Sequence, residues 1–588
     1  MRKRPVFIAG ASGFWGDTDA ATAQLLQALE LDYIVYDYLS EITLALLARA
    51  RAADPDKGFI HDFERAVLPL LGRVKSRGIK LIANAGGLNP TACAQALQTS
   101  ALASGHSIKV AAVEGDNVRA SLSAPLTDMF DGSSIPSGLL SANAYLGVSG
   151  IVAALEDGAD IVITGRCADS ALALAPLVHR FGWAMDDWDR LAQGSLAGHL
   201  IECGCQGAGG LFTDWRSVPG WENMGFPIAE CHVDGDFRII KPDGTGGLIT
   251  PLTVGEQMLY EIGDPGDYRL PDVVCDFREV ELKQDGPDAV RVTGARGRPA
   301  TPDYKVSVTW QDGWRLTALL MIGGIEAVAK ARRTGDAILA RTARLGAERG
   351  LHPFSRTLVE VLGAEDSYGP HARAADVREV VLKVSAMADD RAILDLLSKE
   401  VFPSATAMAQ GITGAAAGRP KPTPVIRGGG VTIPKTQVEV TIAGIGSTRP
   451  VPVAVPAGEG GQNPDRTSDD RPSRSATPYV VSPGERLIDL AVGRSGDKGD
   501  MVNIGILARN EASWHFLREH LSAEAVEMWL DHLEPRRVER FELPGSRGLN
   551  FVLHGVLEGG GLANLHMDAQ GKAVAGMLLD MPVDQLCL

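Results

Sequence analysis

Acids, amides and glycines stand just after five short apolar runs of this 588-residue chain, where a parallel sheet would gather them around one ligand. Ser12 and Gly13 follow Val6–Ala9, and Asp37 follows Tyr33–Tyr36. Asn84, Gly86, Gly87 and Asn89 follow Leu81–Ala83; Glu114, Gly115 and Asp116 follow Val110–Val113; Gly165, Arg166 and Asp169 follow Ile161–Thr164, with Thr164 at the strand end. Arg166 offers a planar fork for a carboxylate or phosphate. Asp37, Glu114 and Asp116 offer a general base, or oxygen ligands for a hard divalent ion such as Mg²⁺. Repulsion within Glu114-Gly-Asp116 would raise one of the two pKa values. Each residue alone also fits loop, capping or salt-bridge chemistry, since Asn89-Pro90 and Asp169-Ser170 are good helix starts. Five such strand ends in series predict a shared pocket.

Three later motifs carry further chemistry. His199 and Glu202 fall at i and i+3 of a helix expected over Trp188–Cys203, so they share a face and can pass a proton, with Cys203 beside them; a core histidine satisfied by a neighbouring carboxylate is the alternative. The spacing is not that of a zinc protease, and no metal ligand set is assigned. Lys241-Pro-Asp-Gly-Thr-Gly246-Gly247 lacks the Gly-Lys-Ser/Thr ending of a nucleotide-binding loop, yet the N–H groups of Gly246 and Gly247 suit an anion. Arg494-Ser-Gly-Asp497-Lys498-Gly-Asp500 reads as a salt-bridged turn. Alternatively, Arg494 or Lys498 reaches a CoA phosphate or packs one domain on another, with Asp497, Asn503, Asn550 and His554 completing a polar patch.

Gly10-x-x-Gly13-x-x-Gly16 at a strand-to-helix junction has the spacing of a dinucleotide site, with Asp37 placed for a ribose. Trp15 and Asp17 oppose that reading, because they put an indole and a negative charge where a pyrophosphate would sit. No tyrosine is followed four residues on by lysine, as short-chain dehydrogenase chemistry requires. NAD(P) is therefore not expected, and no cofactor is assigned beyond the possible Mg²⁺.

The elements that must position these groups are legible in outline. Apolar runs alternate with amphipathic stretches up to about residue 180, as in a doubly wound, mostly parallel α/β sheet. A β-rich second lobe is expected over 205–455 within a main domain of 1–455. Residues 456–484, rich in Gly, Pro, Ser and Asp, read as a linker. A small α+β domain is expected over 485–588, with strands at Leu487–Ala491, Asn503–Ala508, Val538–Leu543, Asn550–Leu557 and Ala573–Leu579. A net charge of −16 without a basic stripe argues against nucleic acid. No uncharged run is long enough to cross a membrane, and the seven scattered cysteines suit reduced thiols in a cytoplasmic protein.

Several long segments in one order then carry a specific resemblance: "GASGFWGD", "NAGGLNP", "TGRCADSALALAP", "HLIECGCQGAGG", "GFPIAE", "GTGGLITPLTVGEQMLYEIGDP" and "GRSGDKGD" followed by "NIG". Together they resemble the acyclic terpene utilisation (AtuA) family, with Gly493 where that family's last motif has alanine. The resemblance implies a ferredoxin-fold-like C-terminal domain and a place in the catabolism of branched or terpenoid acids through CoA thioesters. With a polar pocket and no hydride or hydrolase motif, the expected activity is that of a lyase or hydratase acting through acid–base side chains on a small carboxylate or CoA thioester. The other expectation is a non-catalytic ligand-binding or assembly subunit of an acyl-CoA carboxylase or dehydrogenase. A homo-oligomer is expected in either case.

Overall fold

A computed structural model describes residues 4–414, 418–445, 447–455, 479–561 and 563–587. Its centre is a run of five parallel strands, β1 (Val6–Gly10), β2 (Tyr33–Tyr36), β3 (Lys80–Ala83), β4 (Val110–Glu114) and β5 (Ile161–Thr164), in the spatial order β1-β2-β3-β5-β4. These strands are apolar almost throughout, because both faces of the sheet are covered. Phe7, Ala9, Ile34, Tyr36, Leu81, Ala83 and Ile163 point to one face and pack on α1 (Glu41–Ala53) and α2 (Pro90–Ala103). Val6, Ile8, Val35, Ile82 and Val162 point to the other. There they meet α3 (Ser149–Glu156), α4 (Ala171–Phe181), α5 (Trp188–Ile201) and α6 (Pro251–Leu259). Ile8, Ile34, Leu81, Ile82, Ile163 and Val162 are all at 0% exposure, so burial of each contributes about 1.5–3 kcal/mol against the unfolded chain.

The sheet is mixed rather than mostly parallel. Strands β6 (Ile228–Cys231), β7 (Phe237–Ile240), Val290–Thr293 and Glu281–Gln284 extend it antiparallel from β1, and Thr441–Ile445 with Ser447–Pro450 extends it from β4, giving eleven strands. Much of the region expected as a second lobe therefore belongs to the main sheet. The long strand β8 (Asp303–Gly323) organises a separate six-stranded sheet, to which Leu139–Ala144 also contributes. Asn143 and Ala144 accordingly end a strand, and the next helix begins at Ser149. The helix that follows β1 is short, Ala21–Leu25.

The C-terminal unit is an antiparallel sheet of β9 (Ala491–Lys498), β10 (Met501–Ala508), β11 (Arg537–Leu543) and β12 (Gly548–His554), in the order β9-β10-β12-β11. Helices α7 (Glu511–His520), α8 (Ala523–Trp529) and α9 (Val574–Leu579) belong to the same unit. Two expected strands are corrected here. Leu487–Leu490 is one helical turn, closed by Asp489 Oδ2 accepting from Arg486 N at 2.9 Å, so the strand starts at Ala491. Residues 574–579 form α9, whose apolar run packs into this unit's own core. Of the expected linker, residues 456–478 lie outside the described residues, whereas Tyr479 and Val481 pack against the C-terminal core. No helix among the described residues is long and apolar enough to cross a membrane.

Candidate active site

At the carboxyl end of β2, Asp37 is 8% exposed and its Oδ1 accepts from Asn84 Nδ2 at 2.5 Å and from Leu39 N at 3.2 Å. Asn84, at the end of β3, also accepts from Tyr38 N, so it locks the two strand ends together. Ser12 Oγ donates to the Asp37 carbonyl at 3.0 Å. Carboxylate oxygens of Asp37, of Asp169 beyond β5 and of Glu202 at the end of α5 lie within 4.8 Å of one another. Burial, then repulsion from Asp169 and Glu202, pushes the Asp37 carboxyl well above its ordinary range. Burial and Asp169 do the same to Glu202.

His199 stands one helical turn before Glu202 and is 2% exposed. Its Nε2 lies 3.2 Å from the Met258 carbonyl, which only accepts, so that nitrogen carries the proton. Burial, reinforced by the Lys498 charge, lowers the imidazole pKa to about 4. The ring is thus neutral at pH 7, and its bare Nδ1 sits 3.1 Å from Glu202 Oε1, outside hydrogen-bond alignment in this structure. Two bare acceptors at that distance repel, which favours a proton on Glu202. Beside them Cys203 Sγ lies 4.0 Å from Glu202 Oε1, and burial holds it as the thiol.

Arg166 faces this cluster with Nη1 3.8 Å from Asp169 Oδ1. It also donates to the Leu39 carbonyl at 2.5 Å and to Tyr145 Oη at 2.6 Å, and its guanidinium carbon lies 4.1 Å from the centre of the Tyr145 ring. Its fork is engaged by the protein, so it supplies counter-charge and geometry. Asp116 Oδ2 accepts from Arg166 N at 2.9 Å and from Asn143 Nδ2 at 2.7 Å, and burial raises its pKa to about 6. Glu114 is turned elsewhere: its Oε1 accepts from Thr91 N at 3.0 Å and from Thr91 Oγ1 at 2.5 Å, capping the start of α2. The two acids diverge because Gly115 between them has φ +122°, and the three acids expected to hold Mg²⁺ are not the three that converge.

The remaining expected contacts serve the backbone. Thr164 Oγ1 donates to the Gly165 carbonyl at 2.6 Å, and Gly86 N to Thr164 O at 3.0 Å. Gly87 packs against Leu47 and the Gly58 carbonyl. Gly246 N and Gly247 N donate to Asn223 O and Pro219 O, each at 2.8 Å, so these two N–H groups are engaged within the protein. A Cβ on Gly13 would lie 2.7 Å from the Cys203 carbonyl carbon, and one on Gly10 would lie 1.9 Å from Ile201 O. The glycine loop is therefore pressed against the end of α5. Asp17 closes this loop, its Oδ2 accepting from Gly13 N at 3.1 Å.

The C-terminal unit reaches the same place. Lys498 Nζ donates to the Glu261 carbonyl at 3.0 Å, and Asn503 Oδ1 accepts from Glu261 N at 2.9 Å. Glu261 has φ +58°, a left-handed conformation costing on the order of 1–3 kcal/mol, and both faces of its backbone are gripped by the other unit. Asn550 Nδ2 donates to Ile262 O and Gly263 O. Arg494, 5% exposed, donates to Gln206 Oε1, Gln257 Oε1, Gly210 O and Glu256 Oε2 at 2.7–3.2 Å. Asp497 lies 3.4 Å from Lys572 Nζ. Sequence reading missed Tyr145, Glu256, Gln257 and Glu261. They sit in no motif of their own, although "GEQMLYE" belongs to a segment that carried the resemblance.

Two cavities, of about 320 and 350 Å³, lie elsewhere, one beside Lys435 and Asp272 and the other beside Glu360 and His566. The fold and site define a two-unit α/β protein in which acids from parallel strand ends and a helix end cluster, and a lysine of the C-terminal ferredoxin-like sheet holds the neighbouring Glu261 carbonyl. The family models agree with that class: residues 6–443 match the acyclic terpene utilisation family protein AtuA, and residues 485–584 match the AtuA ferredoxin-like domain. The chain belongs to the AtuA family. Neither a curated protein nor a solved structure matches it.

Proposed function

We propose that the protein is a lyase of hydratase type, acting in acyclic terpene utilisation on a branched acid or its CoA thioester. The observation that supports this reading most is the buried His199–Glu202 pair, standing with Asp37 and Asp169 at the strand ends. Glu202 is the acid, holding its proton against the bare Nδ1 of His199. Asp169, the most exposed of the three carboxylates, is the base that a substrate C–H reaches first. In the dehydrating direction Asp169 takes the α-proton, the C–H electron pair forms the C=C bond, and the C–O bond breaks. Glu202 protonates the departing hydroxyl, which leaves as water. The charge of Asp169, and after it that of Glu261, keeps the field around Glu202 negative, which favours its protonated form, while Lys498 and Arg166 limit the total charge. The cleft against Gly10 and Gly13 is filled by α5, which supports a reaction without a dinucleotide.

The test incubates the purified full-length protein with branched enoyl- and 3-hydroxyacyl-CoA thioesters and follows gain or loss of water by mass spectrometry. Turnover that falls at least about 100-fold in Glu202→Gln, with stability unchanged, supports the assignment. If no thioester turns over while the protein co-purifies with an acyl-CoA carboxylase or dehydrogenase, the lyase reading falls to the assembly-subunit reading.

A further inference from the structure

The cavity of about 320 Å³ shares no lining residue with the acid cluster. Trp188, in its wall, opens α5, and His199 lies eleven residues further along that helix, roughly 16 Å away. Most of the wall is apolar: Met185, Trp188, Ala300, Tyr304 and the segment 453–455. Its volume falls at the lower end of small-molecule sites, about 300–1,000 Å³.

Three charged side chains interrupt the apolar wall: Asp186, which is exposed, and Lys435 and Asp272, which are not. Lys435 is 2% exposed; its Nζ donates to the Pro271 carbonyl at 2.6 Å and lies 5.5 Å from the centre of the Tyr304 ring. Asp272 is fixed by Val148 N, which donates to its two oxygens at 3.0 and 3.2 Å, and by a close approach to Gly147. Among the described residues Lys435 and Asp272 form no salt bridge with each other. The cavity therefore presents a donor and an acceptor, of opposite charge, inside an apolar chamber. An anionic head would meet two acids, Asp272 and Asp186, and a cationic head would meet Lys435, whereas a neutral hydroxyl satisfies both Lys435 and Asp272.

We propose that this cavity is a second binding site, for a small apolar alcohol whose hydroxyl oxygen accepts from Lys435 and whose hydroxyl hydrogen is donated to Asp272. The apolar tail lies along Trp188, Ala300 and Tyr304. No bond is made or broken there, and the site does not depend on the lyase reading.

The experiment titrates the full-length protein with 1-octanol, octanoate and octylamine at pH 8 and follows tryptophan fluorescence, with Trp188→Phe identifying the reporter. The expected result is saturable binding of 1-octanol, with octanoate and octylamine at least tenfold weaker. Lys435→Met, which keeps the side-chain volume, weakens 1-octanol at least fivefold, and Ala300→Leu abolishes its binding. The proposal is overturned if octanoate or octylamine binds as tightly as 1-octanol, if no probe gives a saturable signal, or if Lys435→Met leaves the titration unchanged. Because Lys435→Met leaves cavity volume intact, it decides the matter even where Ala300→Leu fails to fold.

Discussion

Replacing Arg494 with methionine tests how the C-terminal unit is held. The guanidinium has two amide acceptors, one backbone carbonyl and the carboxylate of Glu256, which is itself 1% exposed. Burial raises the folded pKa of Glu256 from 4.5 to about 7 even though Arg494 pulls it down. A carboxyl with a raised folded pKa loses stability as pH climbs from its unfolded value to its folded one. At pH 6 Glu256 is largely protonated in both proteins, so Arg494→Met loses mainly the three neutral contacts, about 3 kcal/mol in all at about 1 kcal/mol each. Without Arg494 the folded pKa moves above 7, and the deficit grows by about 1.4 kcal/mol per pH unit until that new value is passed. The expected deficit is about 5 kcal/mol at pH 8.5, in line with the 3–5 kcal/mol typical of a broken buried pair. Urea unfolding at the two pH values measures it, and Arg494→Met with Glu256→Gln should lose the pH dependence. A deficit equal at both pH values, or a double variant that keeps the slope, refutes the reasoning.

Other perturbations separate structural from chemical roles. Gly10→Ala drives a Cβ into the Ile201 carbonyl and should lower thermal stability by several kcal/mol, or leave the protein insoluble, as read by a thermal melt. Glu114→Ala uncaps α2 and should cost about 1 kcal/mol in urea unfolding while turnover is preserved. Asp116→Asn keeps an oxygen for Arg166 N and Asn143 but removes a charge whose folded pKa is about 6 against 3.8. Ionised Asp116 costs stability increasingly from pH 3.8 to about 6, so the variant should gain up to about 3 kcal/mol at pH 8 and nothing near pH 3.5. A loss at pH 8 would show that Asn cannot replace its acceptor role.

What the sequence discloses and what it hides follow from the range of the interactions. The five parallel strands read correctly because each is a local apolar run, and Ser40 and Asn510 mark helix starts with side chains that accept from the backbone. Leu487–Leu490 and 574–579 are short apolar runs that suit strand or helix equally, and only packing decided them. The antiparallel flank on β1 comes from β6, more than two hundred residues later, so the mixed character of the sheet carries no local sign. Among the acids, position after a strand located Asp37 and Asp169, and helical spacing located Glu202 with His199. Their convergence, and the departure of Glu114, depend on how α5 crosses the sheet and on one glycine's backbone angle.

The grip of the C-terminal unit on Glu261 also bears on the order in which the protein is made. Asn550 and Ile262 lie 288 positions apart, as do Arg494 and Gln206, so these contacts close only after the C-terminal unit has left the ribosome. Until then Glu261 has no partner to hold its left-handed backbone, and the acids lack Lys498. A chain that lacks the C-terminal unit would therefore carry the acid cluster in a different electrostatic state.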